Sequence, residues 1–185
     1  MSLLYQLVLL LVSPLLVLWM VLRVARGRLP GFWQRWGFIQ APPTSNSGVR
    51  IWLHAVSLGE VKLAATLAAE LRERLPELRV IFTTSTRTGH QEACRLAAAG
   101  DVVLYPPFDF AWVCRRFLRR LRPRALLVVE TEFWPNLFWQ TRRTRLPLFI
   151  VNGRISDHSW PRYARTRLLW SAVMDAVTAV YPSGD

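Results

Sequence analysis

The sequence predicts an α/β domain, a parallel sheet with helices on its faces, preceded by an N-terminal membrane helix. From Val49 onward, short β-rich apolar runs alternate with helical stretches of about 10 to 16 residues. Such alternation builds right-handed βαβ units on a parallel sheet. Ahead of them, Met1 to Leu22 carries no charged residue, which is the mark of a segment that belongs in lipid.

The membrane segment comes first in the chain. About 20 apolar residues at about 1.5 Å each reach across a hydrocarbon core of about 30 Å. A cleaved signal peptide puts positive charge before its apolar run. Here Arg23, Arg26, Arg28 and Arg35 come after it. That order predicts an uncleaved anchor with its C-terminal side in the cytoplasm. Trp19, Phe32, Trp33 and Trp36 fall where interfacial aromatic residues belong. The expected form is a spanning helix, with a monotopic or interfacial helix as the alternative. Residues 1–24 are the anchor and 25–48 a juxtamembrane segment and linker; Ala41 to Gly48 reads as loop.

Residues 49–185 are the globular part. Strands are expected at Val49 to His54, Arg79 to Thr84, Val102 to Tyr105, Ala125 to Val129, Leu148 to Val151 and Ala176 to Val180. Helices are expected at Glu60 to Leu75, Thr88 to Ala99, Asp109 to Leu121, Trp134 to Thr144 and Trp160 to Val173. Asp109 is placed to cap its helix. The 185 residues hold one domain with a proper core and are too few for two full α/β domains.

Composition narrows the partners without choosing one. The net charge is +12, and Lys62 is the only lysine. An arginine excess fits anionic lipid, a phosphorylated substrate or nucleic acid, and equally a base-composition bias in the genome. Cys94 and Cys114 have no metal or redox spacing. Both fall in expected helices and read as reduced, small core residues. No metal-ligand spacing is present.

In a parallel sheet, ligands bind at the carboxyl ends of the strands. The loop His54-Ala55-Val56-Ser57-Leu58-Gly59-Glu60 lacks both G-x-G-x-x-G and G-K-[ST], so neither nucleotide motif is supported. Ser57 and Glu60 have capping-box spacing. The same spacing puts a carboxylate at the sheet's mouth, where the helix dipole favours an anion and a sugar hydroxyl can give up its proton. Glu130 and Glu132 flank Thr131 after a buried strand, so mutual repulsion follows if they share a face; otherwise one caps the next helix and the other pairs with an arginine. Asn152-Gly153-Arg154-Ile155-Ser156 supplies groups suited to sugar hydroxyls and phosphates. Thr83, Thr84, Ser85, Thr86 and Thr88 form a hydroxyl-rich loop. Arg115 with Arg119 and Arg116 with Arg120 give a basic helix face, either solvated or resting on headgroups.

Together these loops resemble bacterial Kdo (3-deoxy-D-manno-octulosonic acid) transferases. The stretch from His54 to Glu60 is similar to "HAVSVGE", Glu130 to Asn136 to "ETELWPN", and Asn152 to Ser156 to "NARLS", in that order. Arg35-Trp36-Gly37 after the anchor also fits. The resemblance departs at Gly153, where alanine is usual, and at His158, where arginine is common. It implies the N-terminal half of a GT-B glycosyltransferase, Rossmann-like in fold. It implies inverting transfer of Kdo from CMP-Kdo to a lipid A precursor in lipopolysaccharide biosynthesis, at the cytoplasmic face of the inner membrane, without metal, cofactor or nucleic acid. Glu60 then matches the proton acceptor and Glu130 the transition-state stabiliser. Ser57, Gly59, Glu132, Asn152, Arg154 and Ser156 are the expected substrate-binding residues. The donor belongs to a C-terminal nucleotide-sugar domain that is absent from these 185 residues, so this chain is not expected to transfer Kdo by itself. A membrane-tethered, non-catalytic phosphoglycolipid-binding module is the alternative.

Overall fold

A computed structural model describes residues 2–27, 29–40, 48–130, 132–154 and 166–184. The elements are α1 (Ser2–Ala25), α2 (Phe32–Arg35), β1 (Arg50–His54), α3 (Leu58–Arg74), β2 (Arg79–Thr83), α4 (Arg87–Leu96), β3 (Val102–Leu104), α5 (Ala111–Leu121), β4 (Ala125–Val129), α6 (Pro135–Thr144), β5 (Leu148–Gly153), α7 (Arg167–Met174) and β6 (Ala179–Pro182). The six strands form one sheet in the order β3-β2-β1-β4-β5-β6. Every pairing is parallel.

Strand periodicity sorts the core into two faces. Trp52 pairs with Ile81 on one side and Leu126 on the other. These three pack with Phe117, Leu137 and Phe138 of α5 and α6. The next register row, Leu53, Phe82 and Leu127, packs with Val61, Ala64 and Ala68 of α3 and with Ala93 of α4. Successive side chains on a strand point to opposite faces, so a sheet covered on both sides needs continuous apolar strands. Ala125 to Val129 has that composition.

The strand order positions the site. The chain lays down β1, β2 and β3 outward, then returns through α5 to place β4 on the other side of β1. The order reverses between β1 and β4. A crevice opens outside the carboxyl ends of the strands at such a reversal.

Several boundaries and roles differ from the sequence expectation. Helix α3 starts at Leu58 because Ser57 caps it. Helix α2 was not foreseen; its four residues follow Gly31, whose φ of 67° suits glycine. Asp109 caps no helix of its own. Helix α5 starts at Ala111 with Phe110 as N-cap, and the Asp109 carboxylate accepts from the amides of Asn136 and Leu137 instead, at 3.1 and 3.0 Å. It thus closes the first turn of α6, where Pro135 and Trp134 offer no side-chain cap. Cys114 is buried, whereas Cys94 is exposed and is not a core residue.

Residues 29–40 pack onto the domain. The Arg116 guanidinium donates to the Gly37 carbonyl at 2.7 Å and Arg120 to that of Ile39 at 3.3 Å. One row of the basic α5 face, Arg116 and the exposed Arg120, therefore holds this segment. Helix α1 lies against the domain too. The Tyr5 hydroxyl donates to Asp109 at 3.0 Å, Gln6 bonds to the Asn136 side chain, and the Tyr5 ring meets Trp139 edge-on. Its outer face is apolar and open at Leu10, Leu11 and Leu15.

Candidate functional site

The first loop is held from within. Ser57 Oγ accepts from the Glu60 amide at 3.3 Å. The Glu60 carboxylate takes the Val56 amide on Oε2 at 2.7 Å and the Ser57 amide on Oε1 at 3.2 Å. The capping box is therefore complete. Glu60 itself is buried, with 7% of its surface exposed. A carboxylate offers about four acceptor positions, and two are used here, so capping leaves capacity for a further donor. The neighbouring surface is open: Gly59 is exposed, and a Cβ built there meets only Ser57 Oγ, at 4.0 Å.

The loop from β2 braces the first one from behind. Thr84 Oγ1 donates to the Val56 carbonyl at 3.1 Å and the Thr86 amide reaches the same oxygen at 3.4 Å. Gly89 in α4 stands so close to Thr84, Thr86 and Ser57 that a Cβ would fall 2.5 Å from Thr84 Oγ1. Nothing in the local sequence marks Gly89 for this role beyond its place three residues after the N-cap Thr86.

His54 is a packed, neutral residue. It is fully buried, 2.8 Å from Thr83 Oγ1 through Nδ1, and Thr83 also accepts from Trp52 Nε1 at 2.7 Å. Burial first, then the charge of Arg35, bring its pKa to about 4. Its ring meets Trp134 edge-on at 5.1 Å.

The second loop reaches the first through charge. Glu132 is half-buried, and its pKa is raised by burial, then by Glu60, with Glu130 adding to the effect; a hydrogen bond from Trp134 opposes. Trp134 thus joins Glu132 to the His54 edge, a role that its local sequence does not signal. Glu130 closes β4 with φ 61°, a left-handed conformation that costs a non-glycine residue of order 1–3 kcal/mol. Asn152, on the neighbouring strand, also has positive φ, at 56°. Two such residues side by side at the sheet's carboxyl edge re-aim both chains, and strained backbone of this kind gathers at functional sites. The expectation that Glu130 and Glu132 share a strand face therefore gives way to a bend at Glu130.

The third loop reaches the second by an ion pair. Arg154 lies 3.6 Å from Glu130, with both side chains partly exposed. Gly153 sits in tight quarters: a Cβ there would stand 3.1 Å from Ile150. Ser57, Gly59, Glu60, Glu130, Glu132, Asn152 and Arg154 are thus all at the carboxyl edge around the β1/β4 reversal, while Ser156 and His158 lie outside the described residues.

Residues 30–185 match the family model of 3-deoxy-D-manno-octulosonic-acid transferase (kdotransferase). The chain belongs to the Kdo transferase family. It is similar to the 3-deoxy-D-manno-octulosonic acid transferase of Haemophilus influenzae, 36% identical over 149 residues, covering 76% of this chain and 34% of that one. The Bordetella pertussis enzyme of the same name is 39% identical over 157 residues, covering 80% and 36%. That of Chlamydia trachomatis serovar D is 32% identical over 127 residues, covering 68% and 30%. The chain thus spans about a third of the length of these curated relatives. In this member of the Kdo transferase family, three polar loops lie together at the carboxyl edge around the β1/β4 reversal.

Proposed function

We propose that this chain is the acceptor-binding half of an inverting Kdo transferase, which moves Kdo from CMP-Kdo to a lipid A precursor. The observation that carries the reading is the convergence of Glu60, Glu130 and Glu132 on one strand-order reversal. An acceptor hydroxyl attacks the anomeric carbon as the bond to the CMP phosphate breaks. The hydroxyl proton passes to Glu60. Nucleotide is the leaving group, so no covalent intermediate on the protein is required. Glu130, steadied by Arg154, offers negative charge to the electron-poor sugar of the transition state. Ser57, Gly59, Glu132, Asn152, Arg154 and Ser156 contact the substrates.

The membrane supplies the acceptor. Helix α1 exposes leucines along a 22-residue apolar segment, while Tyr5 in its first turn holds to Asp109. A helix normal to the bilayer carries Tyr5 about 22 Å from Met20, away from the domain. Docking of the first turn fits a helix lying in the membrane plane. Exposed Trp33, Phe38 and Trp112 offer interfacial aromatics nearby, and Arg116 stacks on Phe38 at 4.8 Å.

The test is transfer itself. A polypeptide joining these residues to a nucleotide-sugar domain is given CMP-Kdo and lipid A precursor, and a Kdo-bearing glycolipid is expected. No product from a folded protein contradicts the reading. A second reading, a non-catalytic phosphoglycolipid-binding module, is favoured by the burial of Glu60 and by the hydrogen bonds its carboxylate accepts from two backbone amides. It predicts acceptor binding that is indifferent to the Glu60 charge.

A further inference from the structure

Arg35 is a buried cation with no counter-charge among the described residues. Only 7% of it is exposed. Its Nε donates to the Pro30 carbonyl at 3.2 Å and its Nη2 to the Ser85 carbonyl at 3.1 Å. Its Cζ lies over the Tyr105 ring at 5.0 Å and over Phe108 at 6.0 Å. No ion pair among the described residues includes it. Burial lowers its pKa to about 10, opposed only by Tyr105. Nη1 has no acceptor among the described residues. Taking a charge out of water is costly unless it is paired. Two carbonyls and two ring faces offset only part of that cost.

The neighbours leave the same charge unmet. His90 stacks on Tyr105 at 4.2 Å, and its Nδ1 is buried without a partner. His54 and His90 both have pKa values lowered by burial, then by Arg35, so neither adds positive charge at neutral pH. Ser85 belongs to the loop whose Thr84 and Thr86 hold the Val56 carbonyl. The Val56 amide in turn holds Glu60. The guanidinium therefore sits at the sheet's carboxyl edge, connected through two braced loops to the carboxylate that faces the acceptor.

We infer that Arg35 is a phosphate receptor, taking a phosphate group of the acceptor while the Glu60 loop meets its sugar. The inference rests on the acceptor-binding reading above. Its rigid setting favours the role. Two hydrogen bonds and a stacked ring fix the guanidinium in advance, so little side-chain freedom is lost when Nη1 meets an oxyanion.

The experiment titrates the full 185-residue chain in micelles with three probes: phosphorylated lipid A precursor, the same lipid after phosphatase treatment, and inorganic phosphate. Wild-type chain is expected to bind the phosphorylated lipid at least roughly tenfold more tightly than the treated one. Arg35→Gln removes that preference, and Arg35→Lys, which keeps the charge and loses the fork, retains part of it. A preference that survives in folded Arg35→Gln overturns the inference. Should that variant not fold, an unchanged preference in Arg35→Lys overturns it. Inorganic phosphate that binds through Arg35, with no preference between the two lipids, makes the site a free-anion site and also overturns it. Equal binding of both lipids by wild type defeats this inference alone. Binding of neither lipid defeats the acceptor-binding reading as well.

Discussion

The Val56 amide donates to Glu60 Oε2 at 2.7 Å, across the turn that joins β1 to α3. One carboxylate closes the helix and fixes the loop at the mouth of the sheet. Its structural share is separable from chemistry. Glu60→Ala leaves the amides of Val56 and Ser57 without their acceptor and is expected to cost about 1–3 kcal/mol. Glu60→Gln keeps one carbonyl oxygen and is expected to cost about 1 kcal/mol or less. Urea unfolding of both variants checks the ordering.

Glu130 stores strain at the end of β4. Its φ of 61° is one that glycine adopts freely. Glu130→Gly is expected to match or exceed wild-type stability by up to about 1 kcal/mol, despite losing the exposed pair with Arg154. Transfer is expected to fall in the same variant. A stability loss of several kcal/mol on thermal unfolding means that the bend is not strained.

Glu132 links pH to stability. Burial, then Glu60, raises its pKa, so the folded chain holds this proton to higher pH than the unfolded chain does. Above the ordinary glutamate value of about 4.3, the native state binds more protons, and this contribution to stability declines with rising pH until the raised value is passed. Glu132→Gln removes that decline. Melting curves of the two proteins between about pH 4 and about pH 8 should diverge in favour of the variant as pH rises.

Asp109 ties α1 to α6. Its carboxylate accepts from two α6 amides and from Tyr5 of α1, and it is almost wholly buried, so burial raises its pKa. Asp109→Ala is expected to cost roughly 2–4 kcal/mol, since it orphans buried donors. Tyr5→Phe removes one of those bonds and is expected to cost about 1 kcal/mol. It is also expected to speed proteolysis of α1.

The sheet and most element positions were legible because apolar runs and turn residues are local signals. Ala125 to Val129 needed no partner to be read as a buried strand. The capping box at Ser57 and Glu60 was legible for the same reason, as a spacing of three. What escaped the sequence was contact between distant segments. Nothing local says that Asp109 closes a helix 27 residues on, that Arg116 holds the Gly37 carbonyl, or that Arg35 lies buried on Tyr105. Gly89 reads as an ordinary glycine until α4 is laid against the Ser57 loop. The bend at Glu130 was hidden because nothing in its residue type requires positive φ.

The most direct test of the acceptor chemistry is the rate of Kdo transfer by Glu60→Gln, in a polypeptide joining these residues to a nucleotide-sugar domain. A fall of about 10²-fold or more is expected, the scale of a lost general base, with the melting temperature nearly unchanged. Transfer at close to the wild-type rate by folded Glu60→Gln contradicts it and leaves Glu60 as a helix cap.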